Sequence, residues 1–355
     1  MTHKFNYNWT IKDTVFTKDK GKVFSCFACG GGSTMGYKLA GFDVIGHNDI
    51  DKKMIEVYKE NHNPKFSFLE SITTFAKRKD LPKELYNLDI LDGSPPCSSF
   101  SMAGNREKDW GKEKVFREGQ AKQVLDTLFF DFIDLAKELQ PKVVVAENVK
   151  GLLMGEAKAY VRKIYEEFDK AGYYCQHFLL DASKMGVPQR RERVFFICLR
   201  KDLATPFLHH KDMFTEIPKI EMVFNEKEIP IKEFDSGKPG RKIVPSVLEW
   251  FERTNVGESV GNCLRRNGFK EKFFSYSKSD LNKPFKTILS QYDSGEFRPD
   301  MPTHFHVEDI INGGSFPKDY NFLKLKPQYL IGMSVPPVMK AQIASKIYEQ
   351  WLSKI

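Results

Sequence analysis

The chain has 355 residues, of which 41% are hydrophobic and 13% aromatic, and its formal net charge at pH 7 is +8. This composition excludes wholesale disorder, and the length suits one large domain or two of ordinary size. No apolar run approaches the roughly 18 residues of a membrane span, and the first residues lack the apolar segment of a signal peptide. Six scattered cysteines do not suggest a disulfide framework. We therefore expect a soluble, intracellular protein whose basic surplus only weakly favours a polyanionic partner.

Strands and helices alternate along the first 200 residues. Apolar and β-branched runs predict strands at 23–28, 42–49, 85–91, 142–149 and 193–200. Amphipathic runs with Gly or Pro stops predict helices at 33–41, 52–62, 124–140 and 156–172. This rhythm predicts an α/β fold with a doubly wound, mostly parallel sheet.

The rhythm stops near residue 201. From there to about 295 the sequence is turn-rich and basic, with interleaved aromatic residues, as in "RRNGFKEKFFSYSKSDLNKPFK". We interpret this segment as a second, smaller and irregular domain. An amphipathic helix is predicted again at 336–352.

A glycine-rich turn, "CGGGS" at 29–33, lies between the first strand and the first helix. Such a turn lets the backbone approach a ligand and indicates a nucleotide-type cofactor, although a plain tight turn would look the same. Asp49, at the end of the second strand, is placed to bind ribose hydroxyls. The spacing is not GxGxxG, which disfavours NAD. Cys26 and Cys29 form a CxxC that we interpret as core or turn residues, with no metal.

The stretch "DGSPPCSSF", residues 92–100, holds Cys97 behind two prolines. Each proline fixes its own φ and restricts the residue before it, so the thiol leaves a stiff, extended turn. On this stretch alone, a tight turn that happens to contain a cysteine explains the pattern equally well.

Two more groups of polar residues accompany predicted strands. In "VVVAENVKG", Glu147 and Asn148 follow an apolar strand, so Glu147 is a candidate proton donor or a simple helix cap. In "GVPQRRERVFFI", arginines precede a strand, and their guanidinium groups suit carbonyl oxygens and phosphates. A solvated basic turn is the alternative for this second group.

Taken in order, these motifs resemble those of the DNA (cytosine-5)-methyltransferase family. "FACGGG", "HNDID", "LESI", "SPPCSSFS", "TLFFD", "ENV", "QRRER", "GGSFPKDYNF" and "IGMSVPP" are similar to family motifs over nearly the whole chain except about 201–285. The chain departs from the family pattern at Cys29, Ser98 and Met333. It also lacks the arginine usual before the "SFP" motif, for which Arg298 is a candidate substitute.

The resemblance implies a Rossmann-like, S-adenosylmethionine-dependent catalytic domain at 1–200, completed by 300–355, and a target-recognition domain at 201–299. It also implies that the polar stretch 101–120 is a mobile loop that closes over the substrate. The product of the cofactor would be S-adenosylhomocysteine. The implied cofactor-binding residues are Phe27, Ala28, Gly30, Gly31, Gly32, Asp49, Ile50, Glu70, Ser71, Ser94, Pro96, Leu128 and Ser334.

The implied reaction is methyl transfer to carbon 5 of a cytosine flipped out of duplex DNA. Cys97 would add to carbon 6, Glu147 would protonate ring nitrogen 3, and Arg193, supported by Arg191, would hold the carbonyl oxygen. The implied substrate-binding residues are Ser98, Ser99, Asn148, Gln189, Arg265, Arg266 and Asn267.

The resemblance further implies a monomeric, cytoplasmic enzyme of a prokaryote or phage, associated with the nucleoid through DNA and not with a membrane. It could belong to a restriction-modification system, whose endonuclease would act independently. Three alternatives stay open: a tRNA cytosine-5 methyltransferase, an inactive DNA-binding homologue and a dinucleotide-dependent oxidoreductase.

Overall fold

The computed structural model describes residues 3–96, 127–155, 157–210, 216–270, 272–273, 275–291 and 295–355, together with the backbone of strands 113–114 and 123–124. None of the helices in these ranges has both the length and the apolar character that a membrane span requires.

The chain forms two compact units. The sheet unit comprises Phe16–Leu180, Glu192–Val223 and Ile343–Ile355, and the second unit comprises Met1–Val15, Asp181–Arg191 and Phe224–Gln342. Each unit therefore contains residues of both predicted domains, and the functional boundary near residue 200 stays a prediction.

The sheet unit is built on a seven-stranded sheet. Its strands, in spatial order, are β3, β2, β1, β4, β7, β9 and β8. Neighbouring strands from β3 to β7 pair in parallel, and β9 runs antiparallel to β7. The unit's strands are β1 Lys22–Cys26, β2 Asp43–Asp49, β3 Phe66–Leu69, β4 Ile90–Gly93, β5 Glu113–Lys114, β6 Gln123–Val124, β7 Val143–Val149, β8 Tyr173–Asp181, β9 Glu192–Arg200, β10 Leu208–His210 and β11 Glu216–Pro218.

Helices of this unit cover the sheet and bury its apolar side chains. Phe132 and Ile133 of α4 and Ile164 and Phe168 of α5 pack in one cluster with Phe24 of β1. The helices are α1 Gly32–Leu39, α2 Lys52–His62, α3 Ile72–Phe75, α4 Leu128–Leu139 and α5 Ala157–Lys170. The doubly wound α/β prediction is confirmed, with β9 as the antiparallel exception.

The second unit is irregular and has its own small core, formed by side chains such as Val247, Trp250, Cys263 and Phe297. Its four-stranded sheet has the order β12, β15, β14, β13. Its strands are β12 Pro239–Lys242, β13 Tyr276–Lys278, β14 Gly295–Phe297 and β15 Thr303–Phe305. Its helices are α6 Pro245–Leu248, α7 Val260–Arg266, α8 Val307–Gly313 and α9 Pro327–Met333, and α10 Pro337–Gln350 divides between the two units.

Short 3-10 helices complete the described elements. They occupy Lys83–Tyr86, Lys150–Leu153, Ala182–Lys184, Lys201–Leu203, Thr205–Phe207, Ile231–Glu233 and Leu352–Lys354. The first of them corrects the predicted strand at 85–91, because the chain enters β4 only at Ile90. Leu85 and Leu88 are buried in the core, but neither lies in a strand.

Candidate active site

The polar residues singled out in the sheet unit meet at one edge of its sheet. Cys26 in β1 lies opposite Asn48 in β2 and Gly93 in β4, and Gly93 lies opposite Ala146 in β7. The turn after β1, the end of β2, residues 94–96 and residues 147–148 near the end of β7 therefore all lie at the carboxyl edge of the sheet. Ligands of open α/β sheets bind at this edge.

The glycine-rich turn has a tightly specified backbone. Phe27 and Cys29 have φ of 51°, and Gly31, the residue before α1, has φ of 91°. The Cys29 main-chain N–H donates to Asp49 Oδ2 at 2.7 Å. The departure from glycine at position 29 is thus accommodated with a left-handed backbone, and the Cys29 side chain contacts Met54.

Asp49 connects the first two strand ends. Its Oδ1 accepts from the Asp51 N–H at 2.8 Å, so main-chain donors hold both carboxylate oxygens. A carboxylate oxygen can accept from more than one donor, which is compatible with a further bond to a ribose hydroxyl. The left-handed glycine turn and the oriented, half-buried carboxylate fit the nucleoside part of S-adenosylmethionine.

Two predicted cofactor residues have local roles. The Glu70 carboxylate pairs with Arg78 at 2.8 Å, and the Ser71 hydroxyl accepts from the Thr74 N–H at the start of α3. Both residues follow β3, next to Asp49. The other predicted residues of this unit lie in the turn (Phe27, Ala28, Gly30), at the first position of α1 (Gly32), after β2 (Ile50), after β4 (Ser94, Pro96) and at the first position of α4 (Leu128).

A buried carboxylate near this edge was missed by the sequence analysis. Asp92 in β4 is 1% exposed and accepts from the hydroxyls of Ser25 at 3.1 Å and Tyr37 at 3.2 Å. Burial, followed by the Asp92 charge, raises the pKa of Tyr37 well above its usual value. The sequence signal was an acid inside an otherwise apolar strand, "ILDG".

A stack of two aromatic rings and a third ring tilted against it lie next to the glycine turn. His47 stacks on Tyr58 with a centroid distance of 3.7 Å, and Tyr58 contacts His62 at 4.5 Å. A Cβ on Gly31 would lie 2.1 Å from His62 Nε2. Tyr58 and His62 are four residues apart on α2, a spacing that places both on one helix face.

We expect Gly31→Ala to weaken cofactor binding at least about tenfold and to destabilise the fold by about 3 kcal/mol, because it adds strain at a left-handed φ to a collision with His62. The measurement is a cofactor titration together with urea unfolding. Gly172→Ala is the matched control, since Gly172 has φ of 93° and open space around its Cβ. Equal losses in the two variants would show that His62 does not hold the turn.

Acid should destabilise the protein through the two histidines of this stack. Burial, and then the Lys59 charge, lowers the pKa of His47 from 6.5 to about 3, and burial lowers that of His62 well below its usual value. Between about pH 6.5 and 3 the unfolded chain therefore binds more protons than the folded one. As the pH is lowered through this interval, the free energy of unfolding should fall by up to about 1.4 kcal/mol per pH unit for each histidine.

Urea unfolding at about pH 7 and about pH 5 checks this prediction. His47→Gln, which removes one of the two titrating groups, should show a smaller loss of stability over that interval. Equal losses in the wild type and in this variant would contradict the assignment to His47.

Glu147 and Arg193 form an ion pair on neighbouring strands. Glu147 lies opposite Phe195 and Arg193 lies opposite Val149, so the two side chains are diagonal neighbours on one face of the sheet. Arg193 Nε is 3.1 Å from Glu147 Oε1, and the side chains are only 16% and 12% exposed. Burial lowers the pKa of Arg193 and the Glu147 charge opposes this, but a guanidinium stays charged.

Asn148, next to Glu147, forms a hydrogen bond with the proline turn, residues 94–96. Its Nδ2 donates to the Pro95 carbonyl at 3.2 Å, and its Oδ1 accepts from the Val149 N–H at 2.9 Å. Asn148 is thereby placed against the turn that precedes Cys97. Cys97, Ser98, Ser99 and the proposed loop at 101–120 lie outside the described residues, apart from the backbone of 113–114.

Three predicted site residues lie in the second unit and form hydrogen bonds with its main chain: Gln189, Arg191 and Ser334. The Arg191 guanidinium, 3% exposed, donates to the carbonyls of Ile288 at 3.3 Å and Gly332 at 2.9 Å. Gln189 accepts from the Ile288 N–H at 2.9 Å and donates to the Gly313 carbonyl. Ser334 donates to the Leu330 carbonyl.

Arg298 supports the same unit. Its guanidinium binds Asp235 and Asp300, with 2.9 Å to Asp300 Oδ2, and lies over the Phe305 ring. Burial acts to lower its pKa, but hydrogen bonds to Asp300 and Asp235 outweigh burial and raise the pKa. This buried pairing suits the supporting role suggested for Arg298.

The predicted DNA-facing residues lie at the end of α7. Arg265, Arg266 and Asn267 are all exposed. Arg266 pairs with Glu258 at 3.0 Å and donates to the Arg253 carbonyl at 2.9 Å, while Asn267 Nδ2 donates to the Cys263 carbonyl. Arg266 and Asn267 therefore also stabilise the helix end.

Comparison with known proteins identifies the family. A family model described as C-5 cytosine-specific DNA methylase matches residues 21–349. The chain is 35% identical over 351 residues to the type II methyltransferase M.NgoPII of Neisseria gonorrhoeae, covering 92% of this chain and 95% of that protein. It is 37% identical over 182 residues to the type II methyltransferase M.FnuDI of Fusobacterium nucleatum, covering 51% of this chain and 48% of that one.

Among solved structures, a DNMT2 variant of Spodoptera frugiperda superposes with a TM-score of 0.63 at 18% identity, covering 92% of this chain and 99% of that chain. This likeness supports the fold. The chain belongs to the C-5 cytosine-specific DNA methylase family. It is an enzyme that transfers a methyl group from S-adenosylmethionine to carbon 5 of cytosine in DNA.

Proposed function

We propose that the enzyme methylates one cytosine within a fixed sequence of duplex DNA and that the cytosine is flipped out of the helix for the reaction. A ring stacked in a duplex cannot be reached from both faces, so flipping gives the protein access. The observation that supports this proposal most is the half-buried Glu147–Arg193 pair at the carboxyl edge of the sheet, next to the turn that leads to Cys97.

In the proposed mechanism, the Cys97 thiolate adds to carbon 6 of the ring. The electron pair of the C5–C6 double bond moves into the ring as nitrogen 3 takes a proton from Glu147, which gives carbon 5 the character of an enamine. Bound S-adenosylmethionine would supply the electrophilic methyl group that carbon 5 accepts and would leave as S-adenosylhomocysteine. Transfer of the carbon-5 proton to solvent then expels the Cys97 thiolate, and nitrogen 3 returns its proton to Glu147, which restores the aromatic ring.

The arginines have separate proposed roles. Arg193 donates to the carbonyl oxygen of the ring and orients Glu147, since one guanidinium can serve both. Arg191 acts as a positioning residue, because its Nη1 and Nη2 donate to the carbonyls of Ile288 and Gly332. We assign the proton transfer to nitrogen 3 to the Glu147 carboxyl group, which Arg193 Nε contacts at Oε1.

We propose further that the enzyme works as a monomer and that the target is recognised by residues of 201–299. The two relatives described above are named type II methyltransferases, which suggests a role beside a separate restriction endonuclease. Bisulfite sequencing of DNA from cells that express the protein tests the central proposal. We expect 5-methylcytosine at one position of one recurring sequence, and methylation without sequence preference would contradict it.

Arg265→Ala should weaken binding of the cognate duplex about tenfold and lower the slope of log Kd against log salt by about one, because it removes one cationic contact. This single variant is preferable to a change at Arg266, whose pairing with Glu258 supports α7. Lys137→Ala, at an exposed position of α4, is the control. Unchanged affinity and salt slope in Arg265→Ala would remove this end of α7 from the DNA interface.

A further inference from the structure

The turn after α7 exposes an aromatic side chain. Phe269 is 54% exposed, and no other phenylalanine or tryptophan among the described residues is as exposed. Exposed apolar side chains that occur singly are ordinary, so the exposure of Phe269 acquires meaning only together with its fixed position and the charge around it.

The backbone fixes the position of Phe269. The Phe269 N–H donates to the Leu264 carbonyl at 3.0 Å, and the Gly268 N–H donates to the Arg265 carbonyl at 3.1 Å. Gly268 has φ of 80°. These features define a Schellman motif, in which the residue after the glycine often packs against the last turn of the helix. The motif therefore accounts for the position of the Phe269 backbone but not for the exposure of its ring.

Phe269 is the end of a row of three side chains. Its ring meets Trp250 edge to face at a centroid distance of 5.2 Å, and Arg253 lies over Trp250 at 5.3 Å. Trp250 is 7% exposed and belongs to the small core of the unit. The row therefore rests on a packed base, so presenting the Phe269 ring to a partner needs little ordering of flexible groups.

The charge around this ring is positive. In the stretch "RRNGFKEK", residues 265–272, four cationic residues accompany one acid. Two nearby acids are engaged in the unit itself: Glu258 pairs with Arg266, and Glu249 accepts from the Trp250 indole N–H at 2.7 Å. Nucleic acids combine anionic phosphates with bases that can stack on an aromatic ring. An exposed aromatic ring flanked by basic side chains therefore suits a nucleic acid.

We propose that Phe269 is a DNA-contacting residue that places its ring against a base step of the bound duplex, while Arg265 and Lys270 flank it at the phosphates. This inference rests on the proposed action on duplex DNA and assigns one apolar contact within that interface. An apolar contact adds affinity that salt does not screen, whereas the flanking cations add affinity that falls with salt.

The test compares Phe269→Leu, Phe269→Ala and Arg265→Ala with the wild type in fluorescence-anisotropy titrations of the methylated target duplex over a range of salt. Phe269→Leu retains an apolar residue for the Schellman contact, so it separates folding from DNA contact. We expect both Phe269 variants to bind about tenfold more weakly with an unchanged salt slope, and Arg265→Ala to lower the slope by about one.

Val256→Ala is the matched control, because Val256 is 59% exposed in the same unit and lies outside this row. Cofactor binding and the unfolding midpoint should stay unchanged in Phe269→Leu. If the wild type methylates duplex DNA and Phe269→Leu binds it as tightly, the inference is wrong and the proposed function stands. If the wild type methylates no duplex DNA, both are wrong.

Discussion

Replacing Glu147 by Gln is expected to lower kcat by about 10²- to 10⁴-fold, the usual contribution of a positioned proton donor. The amide keeps nearly the same shape and can still accept from Arg193, but it cannot deliver a proton to nitrogen 3 of the ring. The effect should therefore fall on kcat, with cofactor affinity nearly unchanged. Single-turnover methylation of a target duplex, together with a cofactor titration, measures both quantities.

Glu192→Gln is the matched control for this experiment. Glu192 is the first residue of the same β9 strand as Arg193, and its carboxylate pairs with Lys150 at 2.8 Å on the surface. Exposed ion pairs contribute little to stability, so this variant should keep full activity. A Glu147→Gln enzyme with wild-type kcat would show that another group protonates the ring.

Replacing Cys97 by Ser should reduce methyl transfer by at least about 10⁴-fold, because removal of a covalent nucleophile disables all later steps. A serine hydroxyl is far less ionised than a thiol near neutral pH, although the two side chains differ by one atom. DNA binding and cofactor binding should survive. The measurement is transfer of a labelled methyl group to duplex DNA at saturating concentrations of both substrates.

Cys175→Ser controls for the general effect of losing a thiol, since Cys175 is a half-buried cysteine of β8. This variant should methylate DNA at close to the wild-type rate. Comparable losses at Cys97 and Cys175 would mean that the Cys97 effect is one of folding and not of chemistry.

Much of the sheet unit could be predicted from the sequence because its buried strands are continuous apolar runs. "VVVAENV" reads as a strand that ends in polar residues, and the structure places Glu147 at the expected edge. Helix α2 was predicted at its observed bounds, and Asp51, directly before it, caps its first turn. Such local signals act over a few residues and survive in any tertiary context.

Other features depend on contacts that no local pattern contains. Strand β8 was missed because its residues are mostly half-buried or exposed and polar residues interrupt it, and β3 has only four residues. The antiparallel direction of β9 follows from its pairing with β7. The engagement of Arg191 with carbonyls 97 and 141 residues away is equally invisible in the sequence.

The proline turn has one feature that the sequence predicts and one that depends on a distant contact. Its composition predicts a stiff extension from the sheet edge, and the Pro95 carbonyl does accept a hydrogen bond from Asn148. The partner, 53 residues further along the chain, emerges only when β4 and β7 are paired.

Covalent trapping tests the central claim most directly. Duplex DNA with 5-fluorocytosine at the target position cannot lose a proton from carbon 5, so an enzyme attached through carbon 6 stays attached after methyl transfer. With S-adenosylmethionine present, we predict a denaturation-resistant protein–DNA adduct that maps to Cys97 and is absent from Cys97→Ser. Methylation of ordinary cytosine by the wild type with no such adduct would contradict the account.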